Sequence, residues 1–389
     1  MERVAATRVT RPPARLQLTF ACELDAARLT ALVADATVLE AIRGLGARVA
    51  LMLSDLRVAR ADAVRVLNAA RIPVVGIPLM PYEDGYYFTI DNASRALARY
   101  DEWRVWTARH GLVWAGVGLD IEPEARVYEQ IMRNPWGLLP MLGPRLFAGR
   151  RLRVAQVAYT ALVARIRADG YRVENYQFPL ITDERRAGST LLQRLLGLVD
   201  VATDREVWML YSSVMRRIGP GLLWVYGAEA QAIAVGTTGG GPDIPTHPQI
   251  PTLSWDELAR DLALASRWTN DIYIHSLEGC VSNGFLERLQ SYDVEPAPEA
   301  PRGARGQGPS CHTADGALGH GSPVVDARSP SRVPAVGRAD VLEEHASRHP
   351  LGRAGIDGDS ASLPPANRWK NTAMSTPDAD NVTDHSAAP

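Results

Sequence analysis

WAGVGLDIEP, residues Trp114–Pro123, is an apolar run that ends abruptly in two carboxylates. In an extended chain side chains alternate, so Asp120 and Glu122 point to one side and Leu119 and Ile121 to the other. The run therefore reads as a strand with a pair of acids at its C-terminal end. Whether that pair is a solvated strand-to-loop transition or a site depends on what surrounds it in the chain.

Working outward, the same kind of unit recurs. Arg15–Glu23 alternates, with Leu16, Leu18, Phe20 and Cys22 on one side and Gln17, Thr19, Ala21 and Glu23 on a more polar side. Further strands are expected at 48–54, 73–80, 171–179, 206–212, 232–238 and 271–277. Between them lie helical patterns: from Asp25 to about Gly44, at 61–70, from a cap at Asp91 or Asn92 to Gly111, at 145–169, 190–199 and 222–231, and from Ser254 with Glu257 as a capping box. A last short helix is expected at 284–292, and the loop PYEDGYYFT after the third strand carries tyrosines that either pack over the core or face a ligand.

Eight strands alternating with helices over about 280 residues give the length and pattern of an α/β fold of the (β/α)8 barrel type. A doubly wound sheet is the competitor, but no Gly-x-Gly-x-x-Gly follows the first strand. The barrel is placed at 15–295, after an N-terminal extension at 1–14. From 296 to 389 the chain turns to scattered Pro, Gly, Ser, Arg and Asp, with Trp369 its only aromatic residue, and a disordered low-complexity tail is expected.

Composition removes several function classes. With 46% apolar residues the chain can build a core, and its net charge of -2 is unlike that of a nucleic-acid binder, which needs a basic surface. Three cysteines, Cys22, Cys280 and Cys311, lack the pairing of a disulfide framework or zinc site. No run reaches the roughly 18 apolar residues of a membrane span, and the first residues lack the apolar core of a secretory signal. A cytoplasmic protein with no membrane insertion is expected. Lys370, the sole lysine, lies in the tail, which excludes Schiff-base chemistry from the barrel.

In such barrels the site lies at the C-terminal ends of the strands. Those ends offer Glu23, Ser54 and Asp55, Asp120 and Glu122, Tyr176 and Gln177, Tyr211 and Ser212, Thr237 and Thr238, and His275 with Glu278. Acids and hydrogen-bonding groups dominate, which suits a carbohydrate or another polar small molecule. For His275 the alternative is packing beneath the helices, and for Glu278 a cap or turn.

AGVGLDIE resembles the fourth-strand signature of family 18 glycoside hydrolases, the chitinase-like enzymes, D-G-x-D-x-D-x-E, and MLYS of the sixth strand resembles that family's M-x-Y-[DN]. The resemblance implies Glu122 as general acid, Asp120 as the group that orients the substrate's acetamido group, Tyr211 as its hydrogen-bond partner, and no cofactor. It breaks at Ala115, Gly118 and Ser212, and an aspartate at 118 would share a proton with Asp120. A glycosidase arrangement without acetamide participation would pair Glu122 with a second carboxylate, Glu278 in preference to Glu23. Glu23, Asp55, Tyr176, Gln177 and His275 are expected as substrate-binding groups.

Two other classes fit the same rim. A lyase, isomerase or phosphodiesterase could bind a divalent metal through Glu23, Asp120, Glu122 and Glu278, and the loop GTTGGGPD after strand seven is either a phosphate cradle or a flexible turn. A barrel that binds carbohydrate without turning it over is the third.

Overall fold

The computed structural model describes residues 15–127, 130, 134, 139–215, 218–241 and 251–294. The expected extension at 1–14 and tail at 296–389 lie outside the described residues. Eight parallel strands close into a barrel in sequence order, so this is a (β/α)8 fold. They are β1 Gln17–Cys22, β2 Arg48–Leu53, β3 Val74–Pro78, β4 Gly116–Asp120, β5 Val173–Gln177, β6 Arg205–Met209, β7 Ala232–Gly236 and β8 Asp271–His275. β8 closes the ring on β1, with His275 level with Ala21.

Alternation along each strand sorts the core into two layers. Phe20, Leu51, Val117, Leu119 and Val235 face outward and pack with the surrounding helices. Ala21, Ala50, Ile77, Tyr176, Val207, Ala234 and Tyr273 face inward. Small residues at 21, 50, 232 and 234 leave interior space that the two tyrosine rings and a charged layer fill. In that layer Arg48 donates to Glu174 Oε1 at 2.9 Å and to the Tyr273 hydroxyl at 2.6 Å, and Tyr273 donates to Glu174 Oε2 at 2.6 Å. A buried pair is tolerated only when its remaining polar atoms are satisfied, and Thr19 and Tyr176 do this by meeting Arg48 and Glu174. This layer lies below the rim acids and closes the barrel floor.

Several expected boundaries shift for local reasons. The helix expected from Asp25 to Gly44 is two helices, Ala26–Ala34 and Ala36–Leu45, because Asp35 turns extended and accepts from Thr37 N as a new cap. Asn92 begins the helix Ala93–His110 but does not cap it. Its side chain instead accepts from Thr89 N and donates to the carbonyls of Asp84 and Tyr87, pinning the tyrosine loop. Gly111 ends this helix with φ 63, a left-handed conformation that glycine adopts without strain. The capping box of Ser254 and Glu257 forms on the helix Trp255–Ala265. β6 stops at Met209, so Ser212 opens a short helix, Ser212–Met215. β8 stops at His275, because Ser276 caps the helix Leu277–Ser282 by accepting from Gly279 N. Among the described residues no helix is long and apolar enough to cross a membrane.

Candidate active site

At the C-terminal mouth of the barrel lies a cavity of about 500 Å³. Of the residues singled out from the sequence, Glu23, Asp120, Glu122, Tyr176, Tyr211, Thr237 and His275 line it. The strand that carries Asp120 and Glu122 is prolonged by the tyrosine loop. Phe88 N–H donates to the Asp120 carbonyl, Glu122 N–H donates to the Phe88 carbonyl, and Phe88 bridges Ile121 in parallel. The chain therefore stays extended through Glu122, and the alternation read from the sequence holds: Leu119 and Ile121 are buried among the helices while both acids face the cavity.

The two acids lie close together, and both hold a proton more tightly than an ordinary carboxyl. Burial, then the negative charge of Asp120 and the hydrogen bond to it, raises the Glu122 carboxyl well above the usual carboxylate range. Burial and the charge of Glu23 push Asp120 up to about 7, against the opposing hydrogen bond from Glu122. Asp120 Oδ1 is buried and receives no N–H or hydroxyl donor from the protein.

Glu23, at the end of β1, is held from two sides. Tyr86 of the tyrosine loop donates to Oε1 at 2.8 Å, and His275 Nε2 stands 3.5 Å from Oε2. Burial alone would lower the His275 pKa, but its hydrogen bond to Glu23 and the charges of Glu23, Glu278 and Asp120 outweigh this and raise it. The imidazole also packs against the Tyr211 ring, with centroids 5.7 Å apart. Its Nδ1 is buried without a partner. Such atoms in a cavity wall are places where a ligand hydroxyl would be bonded. His275 therefore stands at the mouth rather than beneath the helices, because it shares the inward parity of Tyr273.

Ser54, Asp55, Gln177, Ser212, Thr238 and Glu278 do not line the cavity. Gln177 faces outward by strand parity and is fully buried between the sheet and the helices, with both amide atoms unbonded. Asp55 turns away from the cavity to pair with Arg57 at 3.0 Å and Arg60 at 2.9 Å. Although burial opposes it, the two guanidinium groups hold its pKa down at about 2. Glu278 is in the first turn of Leu277–Ser282, not on a strand end. It accepts from Gly241 N at 3.1 Å and Glu23 N at 3.4 Å, and Gly240 packs on its side chain where a Cβ would come within 2.2 Å of its Cγ. Gly239, Gly240 and Gly241 line the cavity in its place. The glycine loop thus directs an N–H at a carboxylate of the protein itself.

The departures from the family 18 pattern also find physical reasons. A Cβ at Gly118 would lie 2.7 Å from Ile77 Cγ1 and 2.8 Å from Tyr176 Cε2, so the Tyr176 ring fills the space an aspartate would need. The titratable neighbour of Asp120 is Glu122 instead. Ser212 bonds the buried carboxylate of Asp261 and does not reach the cavity.

Residues missed from the sequence are Tyr87, Phe178, Leu180, Met215 and Leu222, which also line the cavity, and Tyr86, which holds Glu23. The tyrosine loop was visible as a candidate without saying which ring served. Among the described residues no three His, Cys, Asp or Glu side chains converge so as to hold a metal ion.

No protein-family model matches the chain, and no curated protein sequence matches it. Three solved structures are distantly similar. A xylanase-alpha-amylase inhibitor protein in complex with trehalose is 10% identical, with a TM-score of 0.36 over 72% of this chain and 99% of that one. An assigned alpha-L-fucosidase from Bacteroides thetaiotaomicron is 8% identical, with a TM-score of 0.37 over 75% and 100%. The intracellular xylanase TsXylA from Thermoanaerobacterium saccharolyticum is 9% identical, with a TM-score of 0.33 over 69% and 90%. Similarity at that level carries no functional information for this chain.

Proposed function

We propose that the barrel acts on a carbohydrate as a glycoside hydrolase, with Glu122 as general acid. The feature that supports this most is the pair that ends the β4 run: Glu122 lines a cavity beside a second carboxyl, Asp120, and its burial, followed by the charge of Asp120, raises its pKa well above the usual range. A general acid for glycosidic cleavage has to hold a proton near neutrality and deliver it to the departing oxygen. Asp120 accepts the hydrogen bond before transfer and opposes charge on Glu122 until then.

Glu23 serves as the second carboxylate, oriented by Tyr86 and His275, and stabilises positive charge that grows at the anomeric carbon. Glu23 takes this role in preference to Glu278 because Glu23 lines the cavity and Glu278 is covered by the glycine loop. His275 Nδ1 and Tyr211 are placed to bond sugar hydroxyls or, in the family 18 reading, an acetamido group. No described arginine or lysine lines the cavity, which suits an uncharged sugar better than a phosphorylated or uronic one.

The test is turnover of a panel of 4-nitrophenyl, 2,4-dinitrophenyl and methyl glycosides by wild type and Glu122→Gln. The variant should lose about 10²–10⁴-fold on methyl glycosides and much less on dinitrophenyl glycosides, whose leaving group departs without a proton. Equal turnover of methyl glycosides by both proteins sinks the acid assignment.

A further inference from the structure

The cavity has two chemically distinct sides. Glu23, Asp120, Glu122 and His275, from β1, β4 and β8, make one. Phe178 and Leu180 after β5, Val214 and Met215 after β6, and Leu222 on the helix Gly219–Tyr226 make the other. Leu180 is 39% exposed and Met215 45% exposed, so apolar surface is left open at the mouth beside the acids. Large exposed apolar side chains that continue a cavity wall mark a ligand surface. Tyr226, on the same wall, gives its hydroxyl to Asp183 at 2.6 Å and so has its donor committed outside the cavity.

We infer that the substrate is an amphiphile, a sugar joined through its anomeric oxygen to an apolar alkyl or aryl group, and that the wall formed after β5 and β6 holds that group. The inference rests on the glycosidase reading of the same cavity. Its geometry follows from the strand order. Glu122 extends β4, which lies between β3 and β5, so the wall that begins after β5 stands beside the acid and can take the group on the protonated oxygen. Glu23, at the end of β1, belongs to the acid side with Glu122, across the cavity from that wall. A further sugar unit in place of the apolar group would set hydroxyls against Phe178, Leu180, Val214, Met215 and Leu222, which offer no hydrogen bonds, and buried unpaired hydroxyls are costly. In the reaction the bond between the anomeric carbon and the bridging oxygen breaks. Glu122 gives its proton to that oxygen, water adds its hydroxyl to the carbon, and the remaining water proton restores the carboxyl, so that free sugar and alcohol are released.

The experiment is a chain-length series. On n-alkyl glycosides from methyl to octyl, of whichever sugar the 4-nitrophenyl panel selects, kcat/KM should rise by up to about fourfold per added methylene until the wall is filled. Leu222→Asp and the milder Met215→Ser should flatten the rise. A flat series for wild type, or a gain with added sugar units in place of methylenes, overturns the inference. A binding measurement separates this from failure of the hydrolase reading. The neutral fluorophore N-phenyl-1-naphthylamine should bind the full chain and be displaced by n-octyl glucoside but not by methyl glucoside, with Leu222→Asp weakening the signal. Displacement without hydrolysis of any glycoside would keep the apolar site and sink the glycosidase, whereas hydrolysis without selective displacement would do the reverse.

Discussion

Tyr86 donates a hydrogen bond of 2.8 Å to Glu23, tying the loop after β3 to the end of β1. Both residues are buried, and burial followed by the charge of Glu23 raises the Tyr86 pKa, so the phenol stays a donor. Tyr86→Phe leaves Glu23 with one fewer donor in a low-dielectric site, which costs about 1–3 kcal/mol. Thermal unfolding of the variant should show that loss. Its turnover of glycosides should fall through kcat more than KM, because Tyr86 positions a carboxylate and does not line the cavity itself. An unchanged melting temperature would argue against a buried, charge-assisted bond.

Asp120 links the site to stability. Its pKa is raised from 3.8 to about 7, so the folded state holds a proton that the unfolded state has released. The associated stability is fully present below about pH 4 and is lost as pH rises to about 7. Asp120→Asn removes a titration that can cost up to about 4 kcal/mol. The melting temperature of the variant relative to wild type should therefore climb between pH 4 and pH 8, by several degrees. A difference that stays constant across that range would show that Asp120 titrates as an ordinary surface acid.

Strand periodicity made most of the barrel legible, and with it the positions of Glu23, Asp120, Glu122, Tyr176, Tyr211 and His275. Alternation of period two reports which side of a strand a residue faces, and each of these shares its parity with an inward neighbour. Where a strand ends, that rule stops applying. Glu278 follows the Ser276 cap and therefore takes its direction from a helix, and Asp55 takes its direction from Arg57 and Arg60. Gln177 could have been placed from its alternation with Tyr176. The Arg48 and Glu174 layer was signalled only by charges at inward positions of apolar strands, and its partners come from strands far apart in sequence.

Gly118 illustrates the same limit, since nothing in a motif states what occupies the space beside it. Ile77 and Tyr176 stand within 2.8 Å of where its Cβ would be. Gly118→Ala should destabilise the barrel by about 1–3 kcal/mol through overpacking, read in a denaturant titration. Tyr176→Phe in the same background should give no relief, because the clash is with a ring carbon. Tyr176→Leu should recover part of the loss. A stable Gly118→Ala variant would mean that the ring can move, and an aspartate at this position would then be accommodated.

Glu23 and Glu278 are the two acids that could partner Glu122, and their surroundings predict opposite outcomes. Glu23 lines the cavity between Tyr86 and His275, whereas Glu278 spends one oxygen on the N–H groups of Glu23 and Gly241. Glu23→Gln should lower kcat by 10³-fold or more on glycosides that wild type hydrolyses, since the charge that balances the transition state is gone. The amide of Glu278→Gln can still accept from the same N–H groups. Burial raises the Glu278 pKa despite the favourable charge of His275, so loss of its ionisation should cost little, with kcat reduced less than about tenfold. The comparison is direct: steady-state kinetics of both variants on one aryl glycoside, with far-ultraviolet circular dichroism to confirm folding. If Glu278→Gln proves the more damaging, the glycine loop opens during turnover and the second carboxylate is Glu278.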